Sequence, residues 1–228
     1  MRRYHHSLTA FLLVLLTAAC ARRPIQDGQQ VGPLIQIRDL FTSCFLLEYE
    51  PGRFALFDTC RHRSGRPIRR WLEQLDANTN DVRHVFLTHG HADQIGGLDM
   101  VADARVYATA AERTQIRSEG GWVDRTLADG SEVALGNTTV RTHRVRGHTP
   151  GSVVYEVEGV LVMGDTVVAL RDGSLAPHED RRTEDPAENE RNLAELARRL
   201  RGAKAELDWI APARSGPVQG LEPLLALE

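Results

Sequence analysis

Residues that can bind a metal are concentrated in the segment His89–Gln94, which reads H-G-H-A-D-Q and directly follows the apolar run Val85–Leu87. The segment holds two histidines and an aspartate, and imidazole nitrogens and carboxylate oxygens are common ligands of zinc. Two histidines that are two residues apart, just beyond a buried strand, can point from one loop toward the same ion. The segment therefore predicts part of a metal-dependent active site.

Two further candidate ligands follow other apolar runs. His148 lies in the turn Gly147–Ser152, whose Pro-Gly pair suits type II geometry. Asp165 follows the run Val160–Met163 and is separated from it by Gly164. Bonds from zinc to nitrogen or oxygen are only about 2 Å long, so donors from distant parts of a chain must converge on loops at strand ends. Each histidine alone could be an ordinary surface or core residue, but the joint arrangement predicts a metal site.

Strands and helices that could carry these loops are visible in the hydrophobic pattern. The predicted strands are Ile35–Ile37, Phe41–Tyr49, Phe54–Asp58, Val82–Thr88, Arg105–Ala108, Glu132–Leu135, Thr139–Val145, Ser152–Val157 and Val160–Met163. The predicted helices are an amphipathic helix behind Pro67, a helix over Ile95–Val101, and a long helix that begins at Asp185 and ends at Gly202. Two runs of strands, each followed by helices, predict sheet layers covered by helices.

The first residues predict export. Arg2 and Arg3 precede the apolar run Leu8–Ala19, and a run of roughly a dozen residues is too short to span a hydrocarbon core of about 30 Å. Cys20 follows two small residues and resembles the lipidated cysteine of a bacterial lipobox. Residues 1–19 are therefore predicted to be a lipoprotein-type signal peptide, with a plain signal peptide and an incidental cysteine as the alternative. A lipid on Cys20 would anchor the protein to a bacterial membrane, facing the periplasm.

The remaining chain predicts one soluble domain. Residues 20–33 are interpreted as the lipidated cysteine and a tether, and residues 34–228 as the folded domain. A hydrophobic fraction of 42% and a charged fraction of 26% are ordinary for a globular protein. The net charge of −3 becomes −5 when the two arginines of residues 1–19 are removed. A mildly acidic domain has no electrostatic reason to bind nucleic acid. The predicted partner is a small-molecule substrate.

Cys44 and Cys60 lie on neighbouring predicted strands joined by Glu50–Arg53. A disulfide between them is geometrically possible in an oxidising compartment. However, pairing outward from the turn places Cys44 near Thr59 rather than opposite Cys60. The sequence therefore leaves the bridge open.

Five sequence elements in the same order resemble the metallo-β-lactamase superfamily over about residues 38–217. The family patterns D-T-G, H-x-H-x-D-H, D-G-x-x-x-x-L-G, G-H-T-P-G-S and G-D-T align with Asp58–Cys60, His89–Gln94, Asp129–Gly136, Gly147–Ser152 and Gly164–Thr166. The resemblance implies an α+β fold, a four-layer αββα sandwich with the metals at the edge between the two sheets. It also implies a first metal site of His89, His91 and His148, with Asp165 bridging to a second.

Two positions depart from the family pattern. Gln94 stands where the histidine-rich motif should close with a histidine, and Arg214 stands where a late histidine should follow a strand. An amide is a poor zinc ligand and a guanidinium cannot ligate at all. Of the three ligands that belong to the second site alone, only Asp93 remains, so one zinc ion is predicted rather than two.

Counting charges suggests what replaces the second ion. Two zinc ions, a bridging hydroxide and two aspartates sum to about +1, and one zinc ion, a water, an arginine and the same aspartates give the same sum. We therefore hypothesise that Arg214 occupies the space of the missing metal and forms charge-assisted bonds with Asp93 or Asp165.

The sequence thus predicts a mononuclear zinc hydrolase of an ester, lactone, thioester or amide. The ion would lower the pKa of its water towards about 7 and polarise a carbonyl. Asp93 would orient or deprotonate that water, and Arg214 would meet the developing negative charge. Gln94 belongs to the same candidate catalytic set.

Two alternatives remain open. A mononuclear Fe(II) thiol oxygenase would use two of the histidines and Asp165, and persulfide dioxygenases of the superfamily show that the fold permits it. A surface lipoprotein could also have kept the fold for binding and lost turnover. Nothing in the sequence indicates a β-lactam substrate or an oligomeric state.

The loop Ser174–Glu184 follows Asp165 in the chain. The resemblance places the segment after Asp165 at the edge of the substrate cleft, so His178 is a candidate ligand contact. The charged run Glu179–Asp185 is predicted to be hydrated surface.

Overall fold

The computed structural model describes residues 21–228, so the predicted signal peptide and Cys20 lie outside the described residues. Two sheets form the centre of the fold. The first sheet holds seven strands in chain order: β1 (Gln29–Val31), β2 (Leu34–Asp39), β3 (Thr42–Glu50), β4 (Arg53–Phe57), β5 (Val82–Phe86), β6 (Arg105–Thr109) and β7 (Arg125–Leu127). The second holds β8 (Glu132–Leu135), β9 (Thr138–Arg144), β10 (Val153–Val157), β11 (Val160–Gly164), β14 (Trp209–Pro212) and β15 (Val218–Gln219), in the order β15-β14-β11-β10-β9-β8. A separate short hairpin pairs β12 (Val167–Ala169) with β13 (Leu175–Pro177).

Helices cover the outer face of each sheet. They are α1 (Arg66–Gln74), α2 (Ala92–Ile95), α3 (Arg113–Ser118), α4 (Pro186–Ala203) and α5 (Glu222–Leu225), with 3₁₀ turns at Thr79–Asp81, Leu98–Val101 and Ala110–Glu112. The first three helices pack their apolar side chains on the first sheet, and α4 and α5 pack on the second. The predicted αββα sandwich is confirmed. No helix of the described residues combines the length and apolar character needed to cross a membrane.

Aromatic side chains fill the layer between the sheets. The Phe57 and Phe86 rings stack with centroids 5.3 Å apart, and Tyr155 packs edge-on against Phe86 at 5.4 Å. The buried Tyr155 hydroxyl donates to the Leu87 carbonyl at 2.8 Å, so its polar end is satisfied inside the core. This contact also fixes the backbone just before the histidine-rich loop.

The strand directions bring the candidate site residues to one edge. Strands β4, β5 and β6 are parallel, so the loops that begin at Asp58 and His89 leave neighbouring strand ends. In the second sheet β11 and β14 are parallel, which places Asp165 and Arg214 beyond adjacent strand ends. The Val153 amide donates to the Thr88 carbonyl at 3.0 Å and joins the two sheets at this edge. The site therefore lies where both sheets end.

Two helix predictions need correction. The helix predicted over Ile95–Val101 is split into α2 and a 3₁₀ turn at Gly96 and Gly97, because the loop after β4 approaches both glycines closely. A Cβ on Gly96 would lie 2.1 Å from the Arg61 carbonyl oxygen. The long helix α4 is capped by Asp185 as predicted, but it continues past Gly202 and ends at Lys204, which has φ 50°.

The segment predicted to be a tether is folded. Strand β1 pairs with β2, and the Arg23 amide donates to the Ala169 carbonyl at 2.8 Å while the Gly216 amide donates to the Arg23 carbonyl at 2.9 Å. Gly28 and Gly32 adopt φ of 78° and 58°, so their role is to form turns rather than a flexible linker. The prediction for residues 20–33 is therefore wrong from Ala21 onward.

Cys44 and Cys60 form a disulfide, and both side chains are buried. An irregularity at Tyr49 shifts the register of β3 and β4 by one residue, so Phe45 faces Phe57. The predicted register, with Cys44 opposite Thr59, is therefore wrong by one residue. Cys60 lies past the end of β4 with φ 57°, in a left-handed conformation that favours glycine. The bridge ties the loop after β4 to strand β3.

Replacing both cysteines by alanine (Cys44→Ala/Cys60→Ala) should lower the free energy of unfolding by about 3 kcal/mol, since a closed loop of this length removes that much entropy from the unfolded chain. Urea unfolding monitored by circular dichroism measures the change. Wild-type protein treated with a reducing agent is the matched control and should unfold at the same urea concentration as the variant. An unchanged midpoint in the variant would contradict the bridge.

Candidate metal centre and active site

Three histidines and one aspartate converge at the shared sheet edge. The ligand atoms of His89, His91, His148 and Asp165 all lie within 4.8 Å of one another. The His91 Nδ1 atom is 3.1 Å from His148 Nε2, and Asp165 Oδ2 is 3.6 Å from His148 Nε2 and 3.8 Å from His89 Nε2. Donor atoms around a tetrahedral zinc ion with bonds of 2.0–2.1 Å are about 3.4 Å apart. The four side chains can therefore hold a metal ion.

The orientation of the rings supports this fit. His89 Nε2 is buried without a hydrogen-bond partner among the described residues, which is unusual for a polar atom unless it serves a ligand. Its other nitrogen, Nδ1, is 3.1 Å from Thr88 Oγ1, and that hydroxyl donates to Asp58 Oδ2 at 2.8 Å. His148 Nδ1 is likewise 3.1 Å from Thr183 Oγ1. Because the Thr88 hydroxyl donates its proton to Asp58, it accepts from His89 Nδ1 and leaves His89 Nε2 free for an ion.

Burial keeps the imidazoles neutral. It lowers the pKa of His89 well below its usual value, and it lowers the pKa of His148 to about 4 although the Asp165 carboxylate opposes the shift. The pKa of His91 is also lowered, first by burial and then by the charge of Arg182. Neutral imidazoles present the lone pairs that a metal ion needs.

Glu112 joins the two histidine loops, and sequence reasoning missed it. Its buried carboxylate accepts hydrogen bonds from the Gly90 amide at 2.6 Å, the Thr149 hydroxyl at 2.6 Å and the Gly151 amide at 2.8 Å. Burial raises the pKa of Glu112, and the three hydrogen bonds oppose that shift. Gly90 lies between the first two histidines and Thr149 follows the third, so Glu112 fixes their spacing. No motif or periodicity in the sequence marks this residue.

The two residues that depart from the family pattern both donate to aspartates. Arg214 donates through Nε to Asp165 Oδ2 at 2.8 Å and through Nη2 to Asp93 Oδ2. Gln94 donates through Nε2 to Asp165 Oδ1 at 2.9 Å and to the Thr42 hydroxyl at 3.0 Å. The Arg214 side chain is only 4% exposed. The structure thus brings the predicted catalytic residues together beside the three histidines.

The run Glu179–Asp185, predicted to be hydrated surface, is exposed except at Arg182 and Thr183, which are partly buried. Arg182 is a second arginine at this site. It donates to Asp93 Oδ1 at 2.8 Å and forms an ion pair with Asp180. Burial by itself raises the pKa of Asp93, but the hydrogen bond from Arg182 and the charge of Arg214 outweigh it and lower the pKa. The sequence signal for Arg182 was its place in the loop that the family resemblance set at the cleft.

His178 contacts two of the candidate metal-binding residues, His148 and Asp165. Its ring stacks on His148 with centroids 5.7 Å apart, and its Nδ1 atom is 3.2 Å from the Asp165 carbonyl oxygen. Because the side chain is buried, His178 packs against the candidate metal ligands instead of facing a ligand as predicted.

The profile of the metallo-beta-lactamase superfamily matches residues 37–206. The chain belongs to the metallo-β-lactamase superfamily. The hydroxyacylglutathione hydrolase of Methylococcus capsulatus is 35% identical over 147 residues, which cover 62% of this chain and 54% of that protein. The hydroxyacylglutathione hydrolase of Anaeromyxobacter dehalogenans is 46% identical over 88 residues, which cover 37% of this chain and 32% of that one. The chain therefore aligns with about half or less of the length of these relatives.

Solved structures of metallo-β-lactamases share the fold. A Cronobacter sakazakii metallo-beta-lactamase, described by its HARLDQ motif, superposes with a TM-score of 0.60 at 23% identity, covering 87% of this chain and 81% of that one. The last two letters of that motif are also those of Asp93 and Gln94 here. At this level of identity the likeness shows the fold alone.

Changing Glu112→Gln should weaken metal binding by about 10-fold or more, as loss of a ligand-supporting contact commonly does. The glutamine amide group would place a donor against groups that are themselves donors, so one of the histidine loops would lose its anchor. Competition for zinc with a coloured chelator measures the affinity. Glu190→Gln, an exposed position on α4, is the matched control. Equal affinities for both variants would show that Glu112 does not set the spacing of the ligands.

Proposed function

We propose that this protein is a hydrolase of an ester, lactone, thioester or amide bond that works with a single zinc ion at His89, His91 and His148. The observation that supports this most directly is the position of the Arg214 guanidinium, which donates to both Asp93 and Asp165. Those are the carboxylates that a second ion would need, so a fixed positive charge takes its place.

The four carboxylate oxygens of this pair are all engaged. Asp93 accepts from Arg182 on one oxygen and from Arg214 on the other. Asp165 accepts from Gln94 on one oxygen and from Arg214 on the other. A second dication would have to displace these donors and bring its charge beside two arginines. Charge-assisted hydrogen bonds of this kind are stronger than neutral ones, so the arrangement opposes a second metal.

The bound zinc ion would supply a Lewis acid that polarises the scissile carbonyl and lowers the pKa of a water towards about 7. The protein's own residues perform the remaining work. Asp93 keeps free lone pairs that can orient the attacking water, while its two arginine partners make it a weak base. Arg214 and Arg182 provide donors for the negative charge that develops on the substrate oxygen. Gln94 holds the Asp165 carboxylate in place.

A thioester is a favoured substrate within this class. The two relatives described above are named hydroxyacylglutathione hydrolases, and hydrolysis of an acylglutathione breaks a thioester bond. The first test is a panel of thioesters, esters, lactones and amides with the zinc-loaded protein. Hydrolysis that disappears in His89→Ala and His148→Ala supports the proposal. Oxygen uptake with a thiol and iron, with no hydrolysis, would contradict it and favour an oxygenase.

Zinc content should be about one equivalent in the protein from Ala21 onward after equilibration and desalting, because one three-histidine site is available. Gln94→His/Arg214→His restores the two missing imidazoles and removes the competing cation, so its content should rise to about two. Plasma mass spectrometry measures both. Two equivalents in the unaltered protein would contradict a mononuclear site.

Changing Arg214→Ala should reduce kcat by about 100-fold or more, since removal of one oxyanion donor has this effect in other enzymes. The same variant must still hold one zinc ion, which excludes loss of the metal as the cause. Arg214→Lys keeps the charge but cannot donate to both aspartates in the same geometry. Its kcat should therefore lie between those of the unaltered protein and Arg214→Ala. Unchanged kcat in Arg214→Ala would show that the arginine has no part in turnover.

A further inference from the structure

A cleft of about 560 Å³ opens directly beside the metal centre. Asp93 and Arg182 line it together with Phe41, Arg61 and Ile95. Ile95 belongs to the apolar cluster under the first sheet, so part of the lining is hydrophobic. A substrate that is bound at the metal centre can therefore extend into this cleft.

Arg61 presents an available positive charge in the cleft. Its side chain is exposed, and its guanidinium makes no hydrogen bond or ion pair with any described residue. Its backbone is nevertheless fixed, because Asp39 Oδ2 accepts from the Arg61 amide at 3.0 Å and from the His62 amide at 2.6 Å. The guanidinium carbon lies 5.3 Å from the centre of the Phe41 ring, a cation–π distance. The five N–H donors of Arg61 thus make no hydrogen bond to any described residue.

The hairpin tip beside Arg61 is unusually apolar. Leu40 and Phe41 form the two-residue loop between β2 and β3, and their side chains are 60% and 52% exposed. Leu40 has φ 60° at the first position of the loop, where glycine is favoured and a larger residue costs roughly 1 kcal/mol. The Phe41 ring also lies 5.3 Å from the Arg214 guanidinium. The exposed Phe41 ring lines the cleft, where it can contact a ligand.

The acids of the cleft do not neutralise Arg61. Asp39 accepts from backbone amides, and Asp93 is bonded to two arginines. Asp99 and Glu119 also line the cleft, but among the described residues neither forms an ion pair with Arg61. A ligand carboxylate would supply the missing partner, and a guanidinium can bind both of its oxygens at once.

We propose that Arg61 binds an anionic group of the substrate: the cleft takes acyl compounds that carry a carboxylate away from the scissile bond. Phe41 and Ile95 then contact the apolar part that joins the carboxylate to the reacting carbonyl. This inference rests on the proposed hydrolase function and adds a preference for charge to it. The metal centre breaks the bond, and Arg61 selects which acyl compounds are held there.

Binding of two matched ligands tests the inference without turnover. The probes are 3-phenylpropionate and 3-phenylpropanol, which share a ring and chain and differ in the carboxylate, titrated into the zinc-loaded protein and followed by NMR. The unaltered protein should bind the carboxylate about 10-fold more tightly, the size expected for one charge-assisted pair. Arg61→Gln should remove most of that preference. Arg117→Gln makes the same change of charge at an exposed position on α3 outside the cleft lining, and should leave the preference intact.

Three results would overturn the proposal. They are the absence of detectable binding by either probe, equal affinities in the unaltered protein, and a preference that survives Arg61→Gln. The last of these would show that the carboxylate binds the metal or another cation. The binding proposal and the hydrolase proposal can fail independently. If the protein prefers the carboxylate probe but hydrolyses no member of the substrate panel, the binding proposal stands and the hydrolase proposal does not.

Discussion

One arginine shared by two buried carboxylates is the interaction on which the site depends. Asp93 and Asp165 are both buried, and two such charges are stable together only when a cation lies between them. Arg214 provides that cation as part of the chain, whereas a second metal ion could dissociate. The guanidinium is planar and presents several donors in a fixed arrangement, so it also sets the distance between the carboxylates. This arrangement leaves the three-histidine side free to hold its own ion.

The fold supplies the partners of this interaction from distant parts of the chain. Arg214 is 49 residues from Asp165 and 121 residues from Asp93, and parallel strand pairs bring their loops to one edge. Two buried acids then fix the loops from below: Glu112 bonds the segments around the histidines, and Asp58 bonds Thr88. The disulfide holds the loop that follows Asp58. Stability and site geometry therefore depend on the same contacts.

Local patterns in the sequence predicted the strands, the cap of α4 and the convergence of His89, His91, His148 and Asp165, because each follows from spacing or from a turn motif. The substitutions at Gln94 and Arg214 were visible for the same reason. Glu112 was not visible, since its contacts join positions far apart with no periodicity to mark them, and Arg182 had only its place in the cleft loop as a signal. The disulfide stayed open because strand pairing alone does not place Cys60, which lies past the end of β4 in a left-handed conformation. The folded segment after Ala21 was missed because its glycines and prolines resemble those of a linker.

Anomalous X-ray scattering at the zinc edge, from crystals grown in excess zinc, would locate each zinc ion relative to Arg214. We expect one strong peak between the rings of His89, His91 and His148. We also expect the Arg214 guanidinium between Asp93 and Asp165, with no zinc peak beside it. A second peak at those carboxylates, with Arg214 turned away, would rule out the mononuclear site and place the protein among ordinary dinuclear members of its superfamily.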